Sequence, residues 1–308
     1  MNTTFRQLRL FLALAEHRSI TAAARACHVT QPTVSMQLKE LSDAVGLPLY
    51  EQVGKRLYLT EAGEALAETA QAMVDEWAAF GQRIDALRGL TRGRLRVAVV
   101  STAKYFVPRL LGSFCASHPD IDIALEVQNR DGVVARLREN RDDLYIMSMP
   151  PEDIDLEKHA FLPNPLVVIG PRSHPLSRPR AGGGPVALAN LAGERFILRE
   201  RGSGTRLACD ARFAELGFAP NVRLELGSNE AIKQAVAGGL GLSVLSRHAL
   251  AAHLEEDQLA ILEVAGFPVL SNWWTLYRRG KRLSPVAAVF LEHLEGTARE
   301  WLAEREGS

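Results

Sequence analysis

The sequence is poor in cysteine, and its charges cancel. Cys27, Cys115 and Cys209 are the three cysteines among 308 residues, and they are too far apart to form a CxxC or metal-ligand pattern. A disulfide framework is therefore not expected, which suits a reducing cytosol. The 36 Lys and Arg residues balance 36 Asp and Glu residues, so the charge of the whole chain does not indicate a nucleic-acid partner.

Long apolar runs and catalytic motifs are also absent. No run approaches the ~18 apolar residues of a membrane span, and the apolar segment Leu10–Ala15 is too short for a signal peptide and lacks a convincing cleavage site. The sequence contains no P-loop, GxSxG or HExxH motif, and residues 238–241 lack the GxGxxG spacing. We therefore expect a cytoplasmic protein that is not an enzyme and has no metal, no cofactor and no membrane partner.

Residues 19–45 predict a helix-turn-helix, in which the second helix enters the DNA major groove. That helix begins after a capping Thr30, with Pro32 in its first turn. The helical period predicts an apolar face that comprises Val34, Leu38, Leu41 and Val45. The opposite, exposed face comprises Pro32, Ser35, Met36 and Lys39. The preceding helix is rich in alanine, which permits a close crossing. An alanine-rich helical hairpin in another fold is the alternative.

Local charge supports the DNA-binding interpretation. Residues 1–60 contain seven Lys or Arg against four acidic residues, a net charge of +3. Extended segments near 49–52 and 57–60 predict a β-wing around a turn that carries Lys55 and Arg56, cations suited to phosphates or to a minor groove. A solvated hairpin turn is the alternative for these two residues.

A long helix over about 61–88 follows the wing, with Thr60 as its cap. Its apolar residues recur at spacings of 4 and 3, the pattern of a coiled coil; they are Leu66, Ala70, Met73, Trp77, Phe80, Ile84 and Leu87. A helix apolar along one seam needs a partner, and a second copy of the chain is the simplest one. Packing on the larger domain of the same chain is the alternative.

From residue 93 onwards, strands and helices alternate, which predicts parallel α/β sheets. The expected fold is multi-domain: an all-α winged helix-turn-helix (1–60), a linker helix for dimerisation (61–90) and an α/β effector domain (93–308). The length of the last fits two small sheets with a cleft between them. One lobe would span about 93–163 and 269–303, and the other about 164–268.

This order of elements resembles the LysR-type transcriptional regulators. The resemblance rests on the motifs QPTVS at 31–35 and LTEAG at 59–63, together with the linker helix and the α/β half. Segments 101–106, 140–144, 197–206 and 227–233 resemble the CbbR subgroup, which controls Calvin-cycle operons. The resemblance implies a two-lobed effector domain like that of type 2 periplasmic binding proteins, and promoter DNA and RNA polymerase as partners. It also implies a homodimer or homotetramer that activates CO2 fixation genes.

Other functions remain open at this point. A neighbouring LysR subgroup regulates sulfur or nitrogen assimilation and shares some of these segments. An enzyme or a solute-binding protein with a fused DNA-binding domain is a more remote alternative. The chain also departs from the wider family at Met36, where a basic residue often follows the serine of the recognition helix.

Side-chain chemistry suggests a role for each DNA-binding candidate. Gln31 can hydrogen-bond to an adenine edge, whereas Pro32 and Thr33 can touch a thymine methyl group, as can Met36. Phosphate contacts suit a second group of residues; this group is Thr21, Ser35, Lys39, Lys55 and Arg56. Thr21 and Thr33 are alternatively ordinary helix-start residues.

The effector candidates follow strands, where free backbone N–H groups and the helix dipole favour anions. Ser101, Thr102 and Lys104 follow the first strand of the α/β half. A Gly-rich turn after residue 200 contributes Arg201, Ser203, Thr205 and Arg206, and further wall candidates are Asn129, Arg130 and Asn229. Several cations around one cleft suit an anionic metabolite, and the resemblance implies a sugar bisphosphate or an NADPH-like nucleotide. An ordinary turn with solvated arginines is the alternative.

Overall fold

The computed structural model describes residues 3–53, 56–87, 92–178, 183–250, 254 and 258–306, with the backbone alone for 85–87 and 298–306. The chain divides into two compact units, each described by itself. The first comprises residues 1–88 and takes in Glu139–Arg141, and the second comprises the rest. Among the described residues, no helix combines the length and the apolar character that crossing a membrane requires.

Three short helices form the core of the first unit. They are α1 (Phe5–His17), α2 (Ile20–Ala26) and α3 (Gln31–Val45). Thr4 and Gln7 cap α1 reciprocally, and Ser19 caps α2 through the N–H of Ala22. Thr30 precedes α3 as predicted, but its hydroxyl lies 2.8 Å from that of Thr33 and makes no capping bond to the backbone.

Ala23 and Ala24 are buried in this core, so the helices approach closely, as their small side chains predict. Strands β1 (Tyr50–Val53) and β2 (Arg56–Leu59) pair antiparallel as the expected wing. The long helix α4 (Glu61–Leu87) follows, and its N-terminus is capped because Thr60 Oγ1 accepts the N–H of Gly63 at 3.1 Å.

The first lobe of the second unit is a mixed sheet with strand order β4-β3-β5-β12-β6. Its strands are β3 (Gly93–Val100), β4 (Ile121–Gln128), β5 (Leu144–Met147), β6 (Leu156–Pro163) and β12 (Asn272–Arg278). Helices α5 (Val107–Ser117), α6 (Arg130–Arg138) and α9 (Pro285–Glu306) pack against it. Trp273, Phe114 and Phe290 are fully buried in the core of this lobe.

The second lobe contains two small sheets. Strands β7 (Leu166–Pro171), β10 (Ser243–Ser246) and β11 (Leu259–Leu262) form one, in the order β10-β7-β11, and β8 (Arg195–Arg199) pairs with β9 (Asn221–Leu226) in the other. Helices α7 (Gly204–Glu215) and α8 (Asn229–Ala237) complete the lobe. Two chain segments cross between the lobes side by side, and Asn164 N donates to Ser271 O at 2.7 Å.

The expectation of purely parallel sheets is wrong. Strand β3 pairs parallel with β4 and β5, and β8 pairs parallel with β9. Strand β12 runs antiparallel to β5 and β6, and β7 runs antiparallel to β10 and β11. A two-lobed chain crosses between its lobes and returns, so the strand that re-enters the first sheet can run in the opposite direction. Residues 101–105 form a 3-10 turn after β3, and α5 begins at Val107.

Candidate DNA-binding and effector-binding sites

Helix α3 presents one buried face and one exposed face. Val34, Leu38 and Leu41 are buried in the core of the first unit. On the other side, Pro32, Met36 and Lys39 are exposed, with 54% of Met36 accessible, while Ser35 is half-buried. The exposed side of α3 therefore offers an apolar Met36 beside a cation, a combination able to contact both a thymine methyl group and a phosphate.

The first turn of α3 lies beside the start of α2. Thr21 and Gln31 are both exposed, and Thr21 Oγ1 donates to Gln31 Oε1 at 3.4 Å. Thr33 is half-buried and lies against Thr30. The wing places Arg56 opposite Val53, and both are exposed, whereas Lys55 lies outside the described residues. The candidates for base contact and for phosphate contact thus share one surface of α2 and α3, with Arg56 on the wing.

The apolar seam of α4 changes character along the helix. Leu66 and Ala70 are covered within the first unit, Leu66 by the core of its own domain. The next three seam residues are exposed by 50%, 62% and 45%; they are Met73, Trp77 and Phe80. Ile84 is half-buried, and the side chain of Leu87 lies outside the described residues. The exposed part of the seam is therefore the stretch from Met73 to Phe80, an apolar surface that is costly to leave in water.

A small cavity lies between the two lobes of the second unit, where the ends of several strands and the starts of helices meet. Its free space is about 10 Å³, close to the minimum that one water needs. It is lined by Val100, Ser101, Thr102, Arg130, Ser148, Arg199, Ser203, Gly204 and Thr205. Hydroxyl groups and two guanidinium groups dominate this lining, which makes the cavity a suitable place for an anion.

Arg199, at the end of β8, is the centre of this site. Its guanidinium donates to Glu200 at 2.7 and 2.9 Å, to Asn229 Oδ1 at 2.8 Å and to Ser101 Oγ at 3.2 Å. Thr102 Oγ1 lies 3.5 Å from Arg199 and accepts from Asn229 Nδ2 at 3.4 Å. Because only 3% of Arg199 is exposed, these bonds fix a buried charge at the boundary of the two lobes.

Arg130 and the start of α7 complete the cavity. Arg130 Nε donates to the carbonyl of Met149 at 2.7 Å, and its Nη1 lies 3.6 Å from Asp131 Oδ1. Ser203 caps α7 by accepting from the N–H of Arg206 at 3.4 Å. The first N–H groups of a helix have no partner within the helix, so the turn at Gly204 can donate to an anion in the cavity.

Five predicted effector residues lie outside the cavity lining, and one of them, Asn229, accepts a hydrogen bond from Arg199. Lys104 pairs with Glu230 at 3.0 Å, and Asn129 accepts the N–H of Gly132 at 3.0 Å as the cap of α6. Arg201 is exposed outside the cavity lining. Arg206 is buried and its guanidinium bonds to Asp210 and Glu225 at 2.9 Å and to the carbonyl of Arg199 at 2.8 Å.

Arg206 therefore supports the backbone under the site rather than lining it. Of the arginines near the glycine-rich turn, Arg199 lines the cavity, whereas Arg201 and Arg206 do not. Arg199, Ser148 and Gly204 line the cavity and are not among the effector residues predicted from the sequence. Arg199 could have been found from its position as the last residue of a buried strand, since ligands in open α/β folds bind beyond strand ends.

Glu230 forms a second contact between the lobes. Lys104 Nζ and the hydroxyl of Tyr105, from the first lobe, both donate to its carboxylate at the start of α8. Burial raises the pKa of Glu230, but the hydrogen bonds from Tyr105 and Lys104 outweigh burial and lower that pKa to about 2. Burial and the neighbouring carboxylate raise the pKa of Tyr105 well above its ordinary value. Both groups therefore stay in their bonded protonation states at neutral pH.

Comparison with known proteins assigns the chain to a family. A model described as bacterial regulatory helix-turn-helix protein, lysR family, matches residues 5–64, and a model of the LysR substrate binding domain matches residues 88–299. The chain belongs to the LysR family of transcriptional regulators. The resemblance and the fold class expected from the motifs are confirmed, and LysR proteins are DNA-binding regulators rather than enzymes.

Relatives of this LysR protein cover nearly all of its length. The RuBisCO operon transcriptional regulator of Acidithiobacillus ferrooxidans is 46% identical over 293 residues, which cover 95% of this chain and 94% of the relative. The HTH-type transcriptional activator CmpR of Synechocystis sp. strain PCC 6803 is 45% identical, covering 95% of both chains. The regulatory domain of CcmR from Synechocystis PCC6803, solved in complex with 2-PG, is 49% identical with a TM-score of 0.64, covering 67% of this chain and 98% of that one.

Proposed function

We propose that this LysR regulator activates an operon for CO2 fixation and that a small phosphorylated carboxylic acid, 2-phosphoglycolate, is its effector. The function of the relatives supports the first part, because two of them are a RuBisCO operon regulator and the activator CmpR. The observation that carries the second part is the cavity between the lobes, where Arg130 and Arg199 meet five hydroxyl-bearing residues and the start of α7. The complex of the CcmR domain with 2-PG supports the same ligand class.

The proposed ligand contacts divide between two groups of donors. The phosphate would lie against the first turn of α7 and the guanidinium of Arg130, which together offer backbone N–H groups and a positive charge. The carboxylate would lie toward Ser101 and Thr102, whose hydroxyls now bond Arg199 and Asn229. Glu200 already neutralises Arg199 through two hydrogen bonds, so an anion near Arg199 gains less than an unpaired arginine would offer.

Cavity size favours a small effector. A free space of about 10 Å³ holds no metabolite, so binding must separate the lobes or rearrange the lining. Ordinary ligand pockets enclose roughly 300–1,000 Å³, and opening this site to that extent would break the bonds of Arg199 and Glu230 between the lobes. A three-atom or four-atom backbone with two anionic ends requires less opening than a sugar bisphosphate or NADPH, which are the larger candidates from sequence.

The remaining parts of the proposal concern assembly and output. The exposed stretch of the α4 seam from Met73 to Phe80 supports a homodimer through paired linker helices, and a homotetramer follows if the effector domains also pair. Effector binding would change the angle between paired linker helices and hence the spacing of the DNA-binding domains, since a ligand acts only through its different affinity for two shapes. RNA polymerase would be the partner of activation, and the cytoplasm, where promoter DNA is found, the compartment.

Isothermal titration of the full chain tests the effector assignment. We expect 2-phosphoglycolate to bind more tightly than ribulose bisphosphate or NADPH, and Arg130→Gln to weaken it at least 10-fold. Arg201→Gln is the matched control, because it makes the same substitution at an exposed arginine that lies outside the cavity lining. Equal affinity of wild type and Arg130→Gln for 2-phosphoglycolate would show that the ligand lies elsewhere.

Recovery of DNA bound to the protein in cells tests the target operon. We expect the bound promoters to precede genes of CO2 fixation. Promoters of sulfur or nitrogen assimilation genes would instead support the alternative subgroup and contradict this part of the proposal. Either result is independent of the titration, because it depends on the DNA-binding domain alone.

A further inference from the structure

An open cleft of about 550 Å³ lies beside the wing of the first unit. It is lined by Arg18, Arg56, Leu57, Tyr58, Leu59 and Glu64. These residues come from the end of α1, from strand β2 and from the first turn of α4. Apart from Arg56, none of these residues is among the DNA-binding candidates predicted from the sequence.

The conformation of Arg18 is unusual for its residue type. It is the C-cap of α1, with φ 49° and ψ 29°, and its N–H donates to the carbonyl of Leu14 at 2.9 Å. This left-handed region is the usual place of glycine at a helix end, because a Cβ atom costs conformational energy there. The capping bond uses only the backbone and does not require an arginine, although a cation at this end of α1 also interacts favourably with the helix dipole.

The cations of the cleft are available to a ligand. Arg18 and Arg56 are both exposed, and within the described part of the chain neither forms a salt bridge. Tyr58 is exposed on the same strand as Arg56, and its hydroxyl can donate a hydrogen bond. Glu64 also lines the cleft, and its carboxylate repels an anion bound there.

We propose that this cleft binds the sugar–phosphate backbone of DNA, with Arg18 and Arg56 each contacting a phosphate and Tyr58 donating to one of them. The occupant follows from charge complementarity and from continuity, since Arg56 belongs both to the cleft and to the wing of a LysR DNA-binding domain. Arg18 is then a sequence-independent contact that strengthens binding to every duplex. Its charge accounts for an arginine where glycine would suit the backbone.

Salt-dependent binding of the full chain to a fluorescein-labelled duplex of scrambled sequence tests the proposal. We expect Arg18→Gln to lower the affinity about 5-fold to 10-fold at low salt and to reduce the slope of log K against log salt by about 0.9, the value for one lost phosphate contact. Arg18→Lys should restore most of the affinity and the slope. Arg6→Gln is the matched control, because it removes an exposed arginine of α1 outside the cleft and should leave the slope unchanged.

Two further variants separate the phosphate contact from a structural role. Arg18→Gly should lose the same affinity as Arg18→Gln while its thermal midpoint stays equal or rises, and Glu64→Gln should tighten binding about 2-fold to 3-fold. An unchanged salt slope in Arg18→Gln would overturn the proposal. A loss of DNA affinity that is confined to variants with a lowered thermal midpoint would overturn it as well. The inference rests on DNA binding by the family. If wild type binds DNA and Arg18→Gln binds equally well, the proposed contact in the cleft is refuted while DNA binding is not. The effector proposal does not depend on either result.

Discussion

Arg199 Nη2 lies 3.2 Å from Ser101 Oγ, so a buried arginine of the second lobe is hydrogen-bonded to the end of the first strand of the first lobe. The same guanidinium also bonds Asn229, which in turn bonds Thr102 of the first lobe. The cavity proposed for the effector is therefore bordered by the bonds that hold the lobes together. A ligand that enters it must compete with them, which provides a physical link between occupancy and the arrangement of the lobes.

Replacing Arg206 by methionine should affect stability and leave effector binding intact. Its guanidinium bonds Asp210, Glu225 and the carbonyl of Arg199, and the side chain is buried. We expect the free energy of unfolding to fall by about 1–2 kcal/mol, measured by urea denaturation. The dissociation constant for 2-phosphoglycolate should change less than 3-fold. A large loss of affinity at unchanged stability would place Arg206 in the cavity, contrary to the structure.

The bonds of Glu230 predict a dependence of stability on pH. Hydrogen bonds from Tyr105 and Lys104 lower its pKa to about 2, despite the opposing effect of burial. A carboxyl whose pKa is lower in the folded state stabilises the fold above its unfolded pKa of about 4.3. This contribution is lost as pH falls from that value toward 2. Since Glu230 is about half exposed, we expect the effect to be below about 1 kcal/mol.

The comparison of wild type with Glu230→Gln measures this effect. Wild type should be more stable than the variant at pH 6, and the difference should shrink between pH 4.5 and pH 3. An NMR titration of the Glu230 carboxyl should give the low pKa directly. A difference in stability that stays constant over this range would contradict the assigned bonds.

The exposed stretch of the α4 seam predicts that one substitution dissociates the oligomer. Trp77 is 62% exposed, and its ring lies 6.0 Å from that of Phe5 and 5.7 Å from that of Phe80. Trp77→Glu places a charge in the proposed interface, so we expect sedimentation to show a smaller species at equal helix content. Ala72→Glu adds the same charge at an exposed position away from the seam and should leave the assembly intact. Equal masses for both variants would exclude this seam.

Gln31 and Arg56 should have separable effects on DNA binding. Gln31 is exposed in the first turn of α3, where its amide can contact a base edge, so Gln31→Ala should change sequence preference. Arg56 lies on the wing and suits phosphate, so Arg56→Ala should weaken all duplexes alike and flatten the salt dependence. Competition between operator and scrambled duplexes checks both. Equal losses on both duplexes for both variants would show that the roles are wrongly assigned.

Local patterns in the sequence were sufficient to predict most of the first unit. The spacing of Val34, Leu38 and Leu41 depends on the helical period alone, and all three are buried as expected. The wing and the long helix follow from turn residues and from a heptad pattern in the same way. The seam shows the limit of this reasoning, because Leu66 has the same spacing as Trp77 and yet packs within its own domain.

The effector cavity could be located from sequence but not resolved into individual roles. Strand ends and helix starts indicated Ser101, Thr102 and Ser203, which do line the cavity. The role of each arginine depends on carboxylates that are distant in sequence, such as Glu225 for Arg206. It also depends on the direction in which each arginine side chain projects from its strand or helix. Strand direction was missed for a similar reason, since the chain's return between the lobes leaves no local signal in the sequence.

The most direct test of the central claim is DNase I footprinting of the full chain on its own promoter over a range of 2-phosphoglycolate concentrations, with wild type and Arg130→Gln side by side. The account predicts that the wild-type footprint changes in length or in its pattern of hypersensitive sites as the ligand fills the cavity. The Arg130→Gln footprint should stay as it is without ligand. Wild-type footprints that are identical at every concentration, under conditions where titration shows binding, would contradict it.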